Sequence, residues 1–214
     1  HYPLRRQRQM CIRDRLEANR GVTNIYTVPV TGGDPVELTS NETNDFSAQW
    51  SPDGNRIGFL STRSGSVQLW EMNVDGSKPK QVSTIDGGIE SFAYSPAGDM
   101  ILYTKNVQLA KTTGDLHPDM PKANVRIYDD MMYRHWNYWR DGSYRHIFVA
   151  SYNDGTISDA KDILEGEPFD APMSPYFDDS EIAWSPCGKF IAYTCKKFTG
   201  KELAVTTNSD IYLY

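Results

Sequence analysis

The pattern Trp50-Ser51-Pro52-Asp53-Gly54 returns as Tyr94-Ser95-Pro96-Ala97-Gly98 and again as Trp184-Ser185-Pro186-Cys187-Gly188. The first interval is 44 residues and the second is 90, close to twice the first. Each copy runs into an apolar segment: Arg56–Leu60, Met100–Thr104 and Phe190–Thr194. Self-similarity at about 40–45 residues marks a blade of four strands repeated around an axis. The chain therefore reads as all-β, a partial β-propeller.

The turn chemistry supports this. Proline at the second turn position locks φ in the range that a type I turn requires. Glycine two positions later supplies the φ > 0 residue of a three-residue hairpin loop. The slot between holds Asp53, Ala97 or Cys187, so it is not strictly demanding. Ser51, Ser95 and Ser185 are accordingly expected to build hairpins rather than to act as nucleophiles.

Each hairpin should be followed by a third strand, a turn and an outer strand. Val67–Met72, Asp75-Gly76 and Pro79–Ser83 fit, as do Asn24–Pro29, Gly32-Gly33 and Pro35–Thr39. A late copy is His146–Ala150, Asp154-Gly155 and Lys161–Leu164, and Asp210–Tyr214 reads as one more third strand. Between Tyr103 and Glu181 there is one such pair and no second Pro-x-Gly hairpin. The long interval is thus one blade with an insertion at about 106–145. The count is about three blades over residues 19–214.

The formal charge of −6 is uneven. Residues 1–15 carry five arginines against Asp14, a net +4, which leaves −10 for the remainder. An acidic body without a basic stripe argues against nucleic acid as partner. No run of 18 apolar residues is present, so no transmembrane helix is expected. The basic head has no apolar segment after it, unlike a signal peptide. Met10–Arg15 back-translates to ATG TGT ATA AGA GAC AGR, which resembles the end of a transposon used in sequencing-library preparation. Residues 1–15 are read as a translated adapter and expected to be disordered. Cys187 and Cys195 are left as two free thiols. With no CxxC, HExxH or Gly-rich phosphate loop, no metal or cofactor is expected.

Residues 126–146 depart from blade construction. Tyr128, Tyr133, Trp136, Tyr138, Trp139 and Tyr144 crowd into this one stretch, interleaved with arginines and histidines. Aromatics with arginine are the usual material of a peptide- or protein-binding surface; packing of the propeller face against a neighbouring domain is the alternative. Leu116–Pro121, with two prolines, reads as an irregular loop.

The Ser-Pro-Asp-Gly hairpins, the Gly-Gly-x-Pro-x-x-Leu-Thr signature at Gly32–Thr39 and the segment Met132–Trp139 together resemble the propeller of the prolyl oligopeptidase family of serine peptidases. The bacterial dipeptidyl-peptidase and acylaminoacyl-peptidase branch is the nearest likeness. TolB-like periplasmic propellers share the hairpins. The resemblance implies a non-catalytic propeller that gates peptide access and docks on a C-terminal α/β-hydrolase domain, in a periplasmic or secreted setting. Arg134, His135, Trp136 and Trp139 are then the substrate- or domain-interface residues. No Gly-x-Ser-x-Gly elbow occurs, and the four histidines have no Ser and Asp at triad spacing, so no catalytic residue is assigned to this chain. The other reading is a TolB-like protein-binding scaffold without enzymatic activity.

Overall fold

The computed structural model describes residues 7–15 and 19–214. Strand β1 (Gln7–Arg15) runs antiparallel along β2 (Arg20–Val28), with Gln7 opposite Val28 and Arg15 opposite Arg20. β2 carries β3 (Val36–Glu37) on its other side. The part of the head expected to be disordered that is described, residues 7–15, is thus a strand; residues 1–6 lie outside the described residues.

β4 (Asp45–Trp50), β5 (Arg56–Ser61), β6 (Gln68–Asn73) and β7 (Lys80–Gln81) form a four-stranded antiparallel sheet in chain order. β8 (Ser91–Tyr94) and β9 (Met100–Gln108) begin the next sheet. After them come helix α1 (Thr113–Leu116) and a small hairpin, β10 (Arg134–His135) with β11 (Tyr138–Trp139). β12 (Ser143–Asn153) and β13 (Thr156–Asp162) then complete the sheet, in the order β8-β9-β12-β13. β14 (Ile182–Trp184), β15 (Ile191–Cys195), helix α2 (Gly200–Val205) and β16 (Asp210–Leu213) follow, the three strands forming the last sheet.

The repeated sheets are the blades of a partial propeller. β9 and β12 run past the expected limits, so the excursion occupies residues 109–142 rather than 106–145. The outer strand expected at Lys161–Leu164 starts earlier, at Thr156, directly after the Asp154-Gly155 turn. Leu116 closes α1, whose start is held by a capping box between Thr112 and Asp115, so the irregular loop begins one residue later than expected.

The three hairpins share one geometry. The amides of Gly54, Gly98 and Gly188 donate to the carbonyls of Ser51, Ser95 and Ser185 at 2.8, 3.0 and 2.9 Å. All three glycines have positive φ, between +70 and +77, where a side chain is strained. Each serine hydroxyl accepts the amide of the residue five positions on: Arg56 at 2.9 Å, Met100 at 3.1 Å and Phe190 at 3.0 Å. Ser51 also pairs through its own amide with the Arg56 carbonyl at 3.0 Å. The loop is therefore four residues, one longer than expected. The serine satisfies an amide that the widened loop leaves unpaired, which is why all three copies keep it.

A second repeated device was not visible as a motif. The amides of Leu38, Val82 and Ile163 donate to Ile25, Leu69 and Ile147 at 2.8, 2.8 and 3.0 Å, so these residues occupy equivalent outer positions. The residue before each acceptor is a buried polar one: Asn24, Gln68 and His146. Gln68 accepts the Ser83 hydroxyl at 2.6 Å and donates to the Ile85 carbonyl at 2.7 Å. His146 places Nδ1 at 2.8 Å from Asp162 and Nε2 at 2.9 Å from the Glu167 carbonyl. These side chains fasten the outer segment at and just beyond the end of its ladder pairing, which is two residues in β3 and β7 and seven in β13.

The chain divides into two compact units, one of residues up to 103 with 150–159, the other of 104–149 with 160–214. In the first, Ile25, Ile57, Phe59 and Met72 form a buried cluster covered by Leu38, Ala48, Trp50 and Trp70. β5 is buried at five successive positions, as a strand covered on both faces must be. Its Gly58 has a specific cause: a Cβ there would overlap the Tyr94 hydroxyl. That hydroxyl donates to buried Glu71 at 2.6 Å. Glu71 also accepts from Arg56 at 3.2 Å and from the Tyr152 hydroxyl.

Candidate functional site

In the second unit the excursion, residues 168–176 and residues 196–204 enclose a cleft of about 770 Å³. Its architecture starts from the β10–β11 hairpin, where Arg134 faces Trp139 and His135 faces Tyr138. The two-residue loop is Trp136-Asn137. Trp136 sits at φ +48, the position where so tight a hairpin favours glycine. Its indole is 84% exposed.

Behind the hairpin lies a cluster of rings. Tyr128 stacks on Trp139 with centroids 6.0 Å apart, and Tyr133 lies 5.6 Å from Tyr128 and 6.3 Å from Trp139. The Tyr128 hydroxyl donates to the Arg140 carbonyl at 2.6 Å, which fixes the ring on the hairpin's exit strand. Two guanidinium groups rest on the same indole, Arg134 at 4.7 Å and Arg126 at 5.5 Å from the ring centroid. Offset rings and cations over a π face are favourable arrangements.

Arg140 ties the excursion down. Its guanidinium donates to Asp170 at 2.7 Å and to Ser174 at 2.9 Å, and it lies over Tyr144 at 5.1 Å. The other Asp170 oxygen accepts the Arg145 amide at 2.9 Å. On the third wall, Lys196 donates to the carbonyls of Leu203 and Thr206, which holds the end of α2. The Asp130 carboxylate lies against Gly200 so closely that a Cβ there would overlap it. Burial, with Asp141 and Asp170 nearby, raises the Tyr138 hydroxyl above its ordinary value.

The four residues singled out by sequence have different positions. Arg134 and His135 line this cleft. Trp139 lines a more open depression beside it, with Tyr133 and Lys201. Trp136 lines neither; its ring stacks on His135 at 5.9 Å, and His135 meets Tyr176 edge-on at 6.4 Å. Sequence reasoning missed Arg140, Asp170, Tyr176 and the α2 wall. Arg140 carried a signal, as one of the arginines interleaved with the aromatics. Asp170 lies well beyond that stretch in an unremarkable segment and carried none.

The chemistry available here is recognition. His146 has a carboxylate partner, but it is fully buried and its other ring nitrogen is on the Glu167 carbonyl. Neither nitrogen is free to activate a hydroxyl. Among the described residues no group of three His, Cys, Asp or Glu is placed to hold a metal ion, and no helix is long and apolar enough to cross a membrane.

Cys187 and Cys195 are free thiols, the first exposed and the second buried. The Ser185 hydroxyl, then the Lys189 amide, lower the Cys187 thiol, whereas burial pushes Cys195 up to about 12. Only the thiolate is nucleophilic, and a thiol at that value is about one part in ten thousand ionised at pH 8. Alkylation of the native chain at pH 8 with peptide mapping should label Cys187 rapidly and Cys195 only on unfolding. Equal native labelling would show β15 to be open.

Residues 16–128, just over half of the chain, match the model of the TolB beta propeller domain family. Over 199 residues the chain is 42% identical to Dipeptidyl-peptidase 5 of Porphyromonas gingivalis, covering 93% of this chain and 29% of that protein. The chain thus spans less than a third of the length of that relative. Its fold superposes on acylaminoacyl peptidase of Pyrococcus horikoshii with a TM-score of 0.66 at 16% identity, over 97% of this chain and 29% of that one. TolB of Acinetobacter baumannii gives 0.51 at 13% identity, over 90% and 35%. With the matched residues taking in the complete blade β4–β7 and its repeated hairpin, the chain belongs to the TolB β-propeller domain family.

Proposed function

We propose that this chain is the propeller region of a serine peptidase of the prolyl oligopeptidase family, of dipeptidyl-peptidase or acylaminoacyl-peptidase type, acting in the periplasm or outside the cell. In this reading the propeller contributes no catalytic group. It gates short peptides toward an α/β-hydrolase domain elsewhere in the parent chain, and the excursion is the part that meets peptide or that domain. The observation that carries the reading is the 42% identity to a dipeptidyl-peptidase over 93% of the chain. The site agrees with it in kind. Trp136 and Tyr176 are 84% and 85% exposed, and apolar area left in water forgoes about 25 cal/mol per Å² that a bound surface would recover. Arg140 joins the excursion that carries Trp136 to Asp170 and Ser174, in the segment that carries Tyr176, so that both rings are presented rather than trailing.

The test uses the parent gene product on chromogenic dipeptide and acyl-amino-acid substrates, with a serine-directed inhibitor as control. Inhibitable turnover is expected. Arg134→Ala and Trp136→Ala are each expected to lower turnover or domain association by about tenfold, as loss of an interface anchor does. If both variants leave both quantities unchanged, the gating and docking roles are wrong. The family match favours a second reading, a TolB-like protein-binding scaffold. A parent product with no Gly-x-Ser-x-Gly elbow and no turnover would establish it.

A further inference from the structure

Three arginines belong to the cleft, and their states differ. Arg140 is neutralised by Asp170. Arg126 and Arg134 have no ion-pair partner among the described residues, although both line the cleft and both lie on the Trp139 indole. Arg134 donates through Nε to the Trp136 carbonyl, a contact that orients the guanidinium without neutralising it. Two like charges gathered on one ring repel each other. The ring's quadrupole offsets part of that cost but does not cancel the charge. Of the two carboxylates between them in sequence, Asp130 is engaged by the Met131 amide at 2.7 Å and packs on Gly200. That leaves Asp129 as the uncommitted acid on this wall against two uncompensated guanidinium groups. The rings of Tyr128, Tyr133 and Trp139 hold each other, so the cationic surface is organised before any ligand arrives.

We propose that Arg126 and Arg134, spread on the Trp139 indole, form a carboxylate-recognition site for a peptide in the cleft. The guanidinium fork matches a carboxylate in a way an ammonium does not. The proposal rests on the peptide reading above and adds to it a preference: peptides carrying a carboxylate, at the C-terminus or on a side chain, are retained over uncharged ones.

The probes are three short peptides: N-acetyl-Ala-Ala-Glu amide, its Gln counterpart, and N-acetyl-Ala-Ala-Ala as the free acid. Binding to the full chain is followed by calorimetry and by tryptophan fluorescence, at low and high salt. The acid-bearing peptides are expected to bind about tenfold tighter than the Gln peptide, the scale of one charge-assisted contact. The preference should shrink at high salt as screening shortens the reach of the charges. Arg126→Gln and Arg134→Gln should each remove most of it. Arg134→Lys keeps the charge and should recover only part, while Lys122→Gln, an exposed lysine that lines neither the cleft nor the depression beside it, should leave it intact. Which acid-bearing peptide wins identifies the carboxylate's source. Equal binding of the Glu and Gln peptides, or a preference that survives both glutamine variants, overturns the proposal and leaves the peptide reading standing. No binding of any of the three also overturns the proposal, and the parent product's turnover then decides the peptidase reading separately.

Discussion

Glu71→Ala should lower the melting temperature markedly, on the scale of truncating a core side chain. The carboxylate is 3% exposed and accepts from Arg56 and from the hydroxyls of Tyr94 and Tyr152. Burial and the adjacent carboxylate raise both tyrosine hydroxyls well above their ordinary value, so they stay protonated donors at any working pH. Removing the acceptor strands two hydroxyls and a guanidinium around a void. Breaking a buried charged contact from one side costs about 3–5 kcal/mol. For a chain of this length that is roughly 6–20 °C. Asp154→Ala is the contrasting control. Asp154 also pairs with Arg56, but its side chain is 78% exposed, and exposed pairs contribute little. Gly58→Ala tests the same place by crowding. The added methyl meets the Tyr94 hydroxyl, an overpacking cost of about 1–3 kcal/mol, and Tyr94→Phe in the same chain should recover part of it. A Glu71→Ala variant melting with wild type would show that the network contributes nothing.

Asp170→Ala should loosen the excursion. Asp170 takes Arg140 on one carboxylate oxygen and the Arg145 amide on the other, and its carbonyl lies 3.6 Å from the Cys195 thiol. Three elements therefore meet at one residue: the exit of the β10–β11 hairpin, the start of β12 and the end of β15. The variant leaves Arg140, itself mostly buried, without its counter-charge. A loss of about 3–5 kcal/mol is expected on the same grounds. Limited proteolysis reads it directly, because residues 109–142 should become the first site of cleavage while the β4–β7 sheet stays intact. Asp170→Asn keeps the shape and one acceptor oxygen and should fall between. If cleavage of Asp170→Ala begins elsewhere, the Arg140 pair is not what holds the excursion.

The blade repeat was legible because its grammar is local. Ser51, Ser95 and Ser185 each close a loop within five residues, and the glycine inside it must adopt positive φ. A short-range pattern of that kind is written in consecutive letters. Strand limits were less so. β9 and β12 continue to Gln108 and from Ser143 because each is the other's partner in the sheet, and neither segment alone signals where pairing stops. The role of Gly58 was illegible for a related reason: its cause, the Tyr94 hydroxyl, belongs to the next sheet.

The candidate site divides the same way. Its composition stood out, since the six aromatics crowded between Tyr128 and Tyr144 exceed what a blade needs. Its arrangement did not. Arg126 and Arg134 share an indole while Arg140 is neutralised by Asp170, yet all three are arginines in one stretch. By itself the sequence determined the all-β repeat, the hairpins and the presence of an aromatic excursion, because these follow from backbone preference and spacing. Only the tertiary structure decided which charges are spent inside the fold and which remain for a ligand, because charge compensation depends on partners that folding brings together from distant parts of the chain.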